Sequence, residues 1–213
     1  MRNLYFNTVT DQLKSTLLHL MNDALFDPFI LVGGTALSLE LGHRMSVDID
    51  LFTDAEYGSI DFKELDAYLK RQFPYVDSLD IEITGMGKSY FIGNAEDDCI
   101  KLDLYYTDNF IRDFNLKDNI RIAHLDDIVA MKMNVVSRNG RKKDFWDLHE
   151  LLNRYSFDEM IALHQLRYPY THSEEELRDK ITDFSFADED FDPICLKGKQ
   201  WDYIKMDFLD FER

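Results

Sequence analysis

Residues 29–53 read FILVGGTALSLELGHRMSVDIDLFT, and the reading of this stretch decides the fold. Phe29, Ile30, Leu31 and Val32 have the length and composition of a short buried strand, and Gly33-Gly34 break it. Residues 35–41 then set apolar side chains at helical spacing, and a second strand follows that carries Asp48-Ile49-Asp50. The order strand, tight turn, helix, strand predicts an α/β arrangement. Side chains of a strand alternate between its faces, so Asp48 and Asp50 project to one side while Ile49 and Leu51 enter the core. Two carboxylates then share one exposed edge.

Carboxylates held side by side repel each other, and a sheet gains nothing from the pair unless a cation sits between them. Magnesium suits such oxygen ligands, because it keeps several waters and takes one or two carboxylates plus substrate phosphates. Two such ions about 3.5–4 Å apart can clamp the attacking and leaving oxygens of a phosphoryl displacement. Gly33-Gly34 supply the complementary half. With no Cβ in the way their N–H groups can approach a phosphate, and they open a helix whose dipole favours negative charge there. Thr35 adds a hydroxyl donor. Taken singly, a Gly-Gly is more often a turn and an Asp-x-Asp more often surface decoration or a fragment of a calcium loop. Their conjunction carries the reading. No Lys-Ser or Lys-Thr follows the glycines at P-loop spacing, and no G-x-G-x-x-G occurs.

The run GGTALSLELGHRMSVDIDLF resembles the signature of the DNA polymerase β-type nucleotidyltransferase superfamily. More narrowly it resembles that of the AbiEii/AbiGii toxin family: Gly-Gly, a short helix, then Arg-x-Ser-x-Asp-Ile-Asp-Leu. Gly33, Gly34, Arg44, Ser46, Asp48 and Asp50 all fall on it, six positions across eighteen residues. The resemblance implies a magnesium-dependent nucleotidyltransferase that moves an NMP from an NTP to an acceptor hydroxyl, on RNA such as tRNA. It also implies the toxin component of a bacterial toxin–antitoxin or phage-defence system, with a cognate antitoxin as partner. The expected fold is α/β (α+β): a short mixed β-sheet flanked by helices, with residues 1–120 as catalytic core and a mainly helical portion, 121–213, completing the nucleotide cleft.

Further along, strand-like runs occupy residues 75–84, 88–93 and 99–106, with Gly85 and Gly87 marking the first turn. In the last run Ile100, Leu102 and Leu104 face one way and Lys101, Asp103 and Tyr105 the other. An acid here is by itself an exposed strand residue. Beside Asp48 and Asp50 it becomes the candidate third carboxylate, a metal ligand and the general base on the acceptor hydroxyl. Cys99 at the start of this run reads as a small core residue.

The other segments read as helices. Residues 10–25 carry Leu13, Leu17, Leu18 and Met21 on one face, and residues 61–72 carry Phe62, Leu65 and Leu69. In 125–138 the expected core stripe is Leu125, Ile128, Met131 and Val135; Lys132 borders it and either snorkels or faces a cleft. Residues 144–153 turn Phe145, Leu148 and Leu152 inward, and Asp144 at the start favours the helix dipole. The resemblance extends through AMKMNVVSRNGRKKDFWDL and implies that Lys132 contacts nucleotide phosphates, that Asp144 serves the nucleotide site, and that Asp147 is structural. Arg138, Arg141, Lys142 and Lys143 form either a solvated loop or a basic spot near the triphosphate. A short helix over 158–167, a capping box from Ser173 to Glu176, and a final apolar repeat of Trp201, Ile204, Phe208 and Phe211 complete the chain.

The 213 residues carry 41 acids against 24 Lys and Arg, a formal charge of −17. That field argues against a nonspecific nucleic-acid binder with a broad basic footprint, but not against a local basic site. It leaves open transfer to a protein, or to a cationic small molecule such as an aminoglycoside. A catalytically silent nucleotide-binding module is the non-enzymatic alternative. Residues 171–192 hold nine acids and two basic residues, a solvated face or a dock for a basic partner. Two distant cysteines, no signal-peptide-like start and no membrane-length apolar run predict a soluble cytoplasmic protein.

Overall fold

The computed structural model describes residues 3–78 and 85–211, the side chain of Phe211 excepted. Thr10 accepts the Leu13 N–H and starts α1 (Asp11–Met21), which buries Leu13, Leu17, Leu20 and Met21. Next come β1 (Ile30–Leu31), α2 (Gly33–Leu41) and β2 (Asp48–Thr53), so both glycines belong to the first turn of α2. Asp61 caps α3 (Phe62–Gln72) through the N–H groups of Lys63 and Glu64. Strands β3 (Tyr75–Asp77), β4 (Gly87–Ala95) and β5 (Asp98–Tyr106) follow. The strand expected over 75–84 is seen as far as Asp77; residues 79–84 lie outside the described ones.

A hairpin of β6 (Asn115–Lys117) and β7 (Ile120–Ile122) was not legible in the hydrophobic pattern. Its signal is the turn pair Asp118-Asn119, at φ 49° and 62°, left-handed positions that Asn and Asp tolerate best. The rest is helical: α4 (Leu125–Val136), α5 (Lys142–Leu151), α6 (Phe157–Arg167), α7 (Glu174–Ile181) and α8 (Trp201–Phe211).

The strands form one mixed sheet in the order β3-β4-β5-β2-β1-β7-β6, confirming the α/β expectation. β2 pairs parallel with β5 and antiparallel with β1 at the centre of the sheet, while β1 pairs parallel with β7. Burial alternates along β2 and β5, with Ile49, Leu51, Ile100, Leu102 and Leu104 inside.

Three expectations are corrected. In α4 the buried apolar residues are Ile128, Val129, Ala130, Met133 and Val136; of the expected stripe, Leu125 and Met131 are only partly buried and Val135 is exposed. Helices α2, α5, α6 and α7 all pack against α4, and the side left uncovered is the one with Met131 and Val135, which is 44% exposed. Cys99 is half-buried at the β4–β5 turn, where its Sγ contacts the Glu96 carbonyl oxygen. In α5 Leu152 gives way to Leu151 as the deeply buried residue. The C-terminal helix packs back as expected: Trp146 and Trp201 stack 6.3 Å apart and Phe145 meets Phe208 edge-on at 5.7 Å. Among the described residues no helix is long and apolar enough to cross a membrane.

His164 on α6 is fully buried, and among the described residues neither ring nitrogen has a hydrogen-bond partner. Burial, with the like charges of His172 and Arg138 nearby, pushes its pKa down from 6.5 to about 4. The unfolded chain therefore binds a proton that the folded chain refuses between these values, so stability falls as pH drops from 6.5 towards 4. Denaturant titrations across this window should show a shallower acid-side loss in His164→Phe than in the unaltered protein.

Candidate active site

The parallel register sets Asp50 opposite Asp103 and Asp48 opposite Lys101, so the three carboxylates meet on one face of two central strands. They line a cleft of about 640 Å³ together with Gly33, Gly34, Arg44, Ser46, Lys132 and Asp144. Nine of the ten residues singled out by sequence are thus brought together. The tenth, Thr35, lies behind the wall with no exposure. Its hydroxyl has one proton, which goes to the Asp48 carbonyl, and it accepts from Ser46 Oγ at 2.8 Å. Thr35 therefore braces the start of β2, and its hydroxyl is not free to meet a phosphate.

Both glycines are required by close approach. Gly33 sits at φ 70°, and a Cβ there would collide with Asp50 Oδ2; a Cβ on Gly34 would collide with Arg44 Nη2. The first turn of α2 can therefore lie directly against the carboxylate and the guanidinium.

Burial, with repulsion from Asp103 and Asp48, raises the Asp50 pKa to about 6, against the pull of Lys132 and Lys101. Two ammonium groups stand beside the triad: Lys101 Nζ lies 2.5 Å from Asp103 Oδ2, and Lys143 Nζ lies 3.6 Å from Asp48 Oδ2. Sequence reasoning placed Lys101 on the face of Asp103 without giving it a part; the alternation Lys101-x-Asp103 was the signal. Asp103 Oδ1 is buried and has no hydrogen-bond partner among the described residues. An all-oxygen set with a spare buried acceptor fits a hard cation such as magnesium. Among the described residues no three His, Cys, Asp or Glu side chains form a ready-made cage, and magnesium, which draws further ligands from water and phosphate, needs none.

Behind the cleft, Asp147 is fully buried and binds three groups. Arg44 donates through Nε and Nη2 at 2.7 Å each, His43 Nε2 lies at 2.7 Å, and Lys132 Nζ at 2.6 Å. Burial opposes its charge, yet Arg44, Lys132 and His43 outweigh burial and hold its pKa well below the carboxylate range. Lys132 also bonds Asp144 Oδ1 at 2.6 Å, and Asp144 Oδ2 accepts the Arg141 N–H, so Asp144 is both a helix-start acid and a partner of the cleft lysine. Arg44 is 3% exposed and spends Nη1 on the Met45 carbonyl. His43 was missed by sequence reasoning, which had no signal that would link it to a residue 104 positions away.

The profile of the family described as nucleotidyl transferase AbiEii toxin, type IV TA system, matches residues 15–212. An uncharacterised protein of Aquifex aeolicus is 30% identical over 139 residues, 61% of this chain; the match spans 60% of that protein's length. JHP933 from Helicobacter pylori superposes with a TM-score of 0.61 at 18% identity, over 96% of this chain and 91% of that one. MenT4, a nucleotidyltransferase toxin from Mycobacterium tuberculosis, gives 0.57 at 13% identity, over 94% and 81%. At these identities the two structures speak for the fold.

Asp147→Asn keeps the shape but leaves buried cations without a charge partner, and should cost about 3–5 kcal/mol in urea unfolding. Gly33→Ala should lower both thermal stability and nucleotide affinity, whereas Gly58→Ala, in open space, should lower stability alone.

Proposed function

Because the chain belongs to the AbiEii nucleotidyl transferase toxin family of type IV toxin–antitoxin systems, we propose that it transfers an NMP from an NTP to a hydroxyl on RNA. The observation that supports this most is the meeting of Asp48, Asp50 and Asp103 at the mouth of a cleft opened by Gly33-Gly34. On this reading residues 1–120 are the catalytic core, and 121–213 complete the nucleotide cleft. A tRNA end is the acceptor proposed, and a cognate antitoxin the partner.

In the proposed reaction the N–H groups of Gly33 and Gly34, at the positive end of α2, receive the terminal phosphates. Lys132 adds positive charge behind them. Arg44 is held against Asp147 and acts through the field of that network, and Ser46 shapes the wall. Asp144 keeps Lys132 oriented. Asp48, Asp50 and Asp103 would hold magnesium, which supplies Lewis-acid stabilisation of the charge that develops on the phosphoryl oxygens. Asp103 takes the proton of the acceptor hydroxyl as its oxygen bonds the α-phosphorus. The bond to the bridging oxygen breaks, and pyrophosphate leaves. Positioning and electrostatics provide most of the acceleration.

The test supplies magnesium, each α-labelled NTP in turn, and separate pools of tRNA, total RNA and cell protein. Label should enter the tRNA pool and disappear with Asp48→Asn, while the melting temperature stays within a few degrees. Labelling that survives Asp48→Asn would remove the assignment of the site, and label confined to protein would remove the acceptor.

A further inference from the structure

A second cavity, of about 590 Å³, adjoins the cleft, and Phe52, Met131 and Val135 line both. Phe52 follows Asp50 by two residues on β2 and so lies on the carboxylate face. The wall between the two spaces is apolar, and it starts where the catalytic row ends.

The chemistry of the second cavity differs from that of the first. Its wall carries the rings of Phe52, Tyr168 and Tyr170, the last 98% exposed. Two arginines line it, and they are not equivalent. Arg167 is spent internally, on Asp127 and on the Asn109 and Asp108 carbonyls. Arg138 is exposed, and among the described residues no carboxylate pairs with it. Asn134 contributes a carboxamide whose Oδ1 has no hydrogen-bond partner among the described residues. Asp108 is the one acid among the described lining residues.

Phe52 is half-buried and Tyr168 buried, so Tyr170 is the exposed ring; an exposed aromatic ring beside a free guanidinium is how proteins hold single-stranded nucleotides, the ring stacking on the base and the cation meeting a phosphate. A polycationic small molecule would instead draw on several carboxylates, which this wall lacks. A reaction that joins two substrates needs two adjoining seats, and the cleft already provides one for a triphosphate.

We propose that the cavity between Phe52 and Tyr170 seats the nucleobase at the end of a single-stranded RNA acceptor, with Arg138 on its phosphate. This rests on the nucleotidyl-transfer reading above and adds the acceptor's place and form. The ribose of that nucleotide then lies at the Phe52–Met131 boundary, beside the carboxylates. A chain of charge −17 repels a long polyanion, so recognition is confined to the last few nucleotides, where Arg138 and Lys143 offset the field locally.

The test measures anisotropy of a fluorescein-labelled single-stranded tetraribonucleotide without NTP, and in parallel the thermal stabilisation of the protein by magnesium and NTP. Tyr170 and Arg138 are exposed, so their variants should fold. Tyr170→Ala should weaken tetramer binding roughly tenfold, and Tyr170→Phe should restore it. Arg138→Ala should weaken binding and flatten its salt dependence by about one phosphate contact. NTP stabilisation should not change in any of them.

Unchanged tetramer affinity in Tyr170→Ala would overturn the proposal. So would loss of NTP stabilisation with tetramer affinity intact, which would give the cavity to the incoming nucleotide's base. If no NTP labels any acceptor pool while Tyr170→Ala still weakens the tetramer, the cavity assignment stands and the catalytic reading falls. If label enters protein and the tetramer does not bind, transfer stands and this proposal falls.

Discussion

The buried carboxylate of Asp147 is the constraint on which the site depends. It binds His43 and Arg44, from the loop between α2 and β2, and Lys132 from α4, while sitting itself on α5. Three separate parts of the chain are thereby held to one point. A buried ion pair seldom adds much net stability, because desolvation offsets the attraction, but breaking one is costly since it strands a charge. Here the cost enforces geometry. If α5 moved, Arg44 and Lys132 would lose their partner, and the wall of the cleft at Gly34 and Asp144 would move with them. The C-terminal extension adds to this clamp: Met45 and Leu196 N–H groups bond the Ile194 and His43 carbonyls across the same loop.

On the other side of the cleft the sheet works against itself electrically. Parallel pairing of β2 with β5 places Asp50 opposite Asp103, and burial with mutual repulsion lifts Asp50 to about 6. Lys101 and Lys143 offset part of that repulsion. Strained carboxylate groupings of this kind cluster where function needs them, since they are stabilised most when a cation arrives. The two networks are complementary: cations gather around Asp147 behind the cleft, and carboxylates gather at its front.

This local order sets the cleft apart from the chain's net charge of −17. The acids of 171–192 are largely spent on the surface or on local ties, as when Asp188 takes the Trp201 indole N–H and the Lys205 ammonium, or Asp192 takes Lys142. Charges more than a Debye length away are screened at physiological salt, whereas Lys143 and Lys132 line the cleft itself and Arg138 the cavity beside it. The sum of charge is therefore a weak guide to what one cleft binds.

Local physics made much of this legible. Period-two alternation put Asp48 and Asp50 on one face of their strand and Asp103 with Lys101 and Tyr105 on one face of a second strand, and the glycine break located the start of α2, because each depends on neighbours in sequence. The Asp118-Asn119 hairpin carried a turn signal but strands too short to show a period. Tertiary structure alone decided that Asp50 faces Asp103 in parallel register, that Thr35 braces β2, that Met131 and Val135 line the cleft, and that His43, Arg44 and Lys132 share Asp147. Those outcomes turn on which distant surfaces pack together, and residues such as His43 and Asp147, 104 positions apart, leave no common mark on the chain between them.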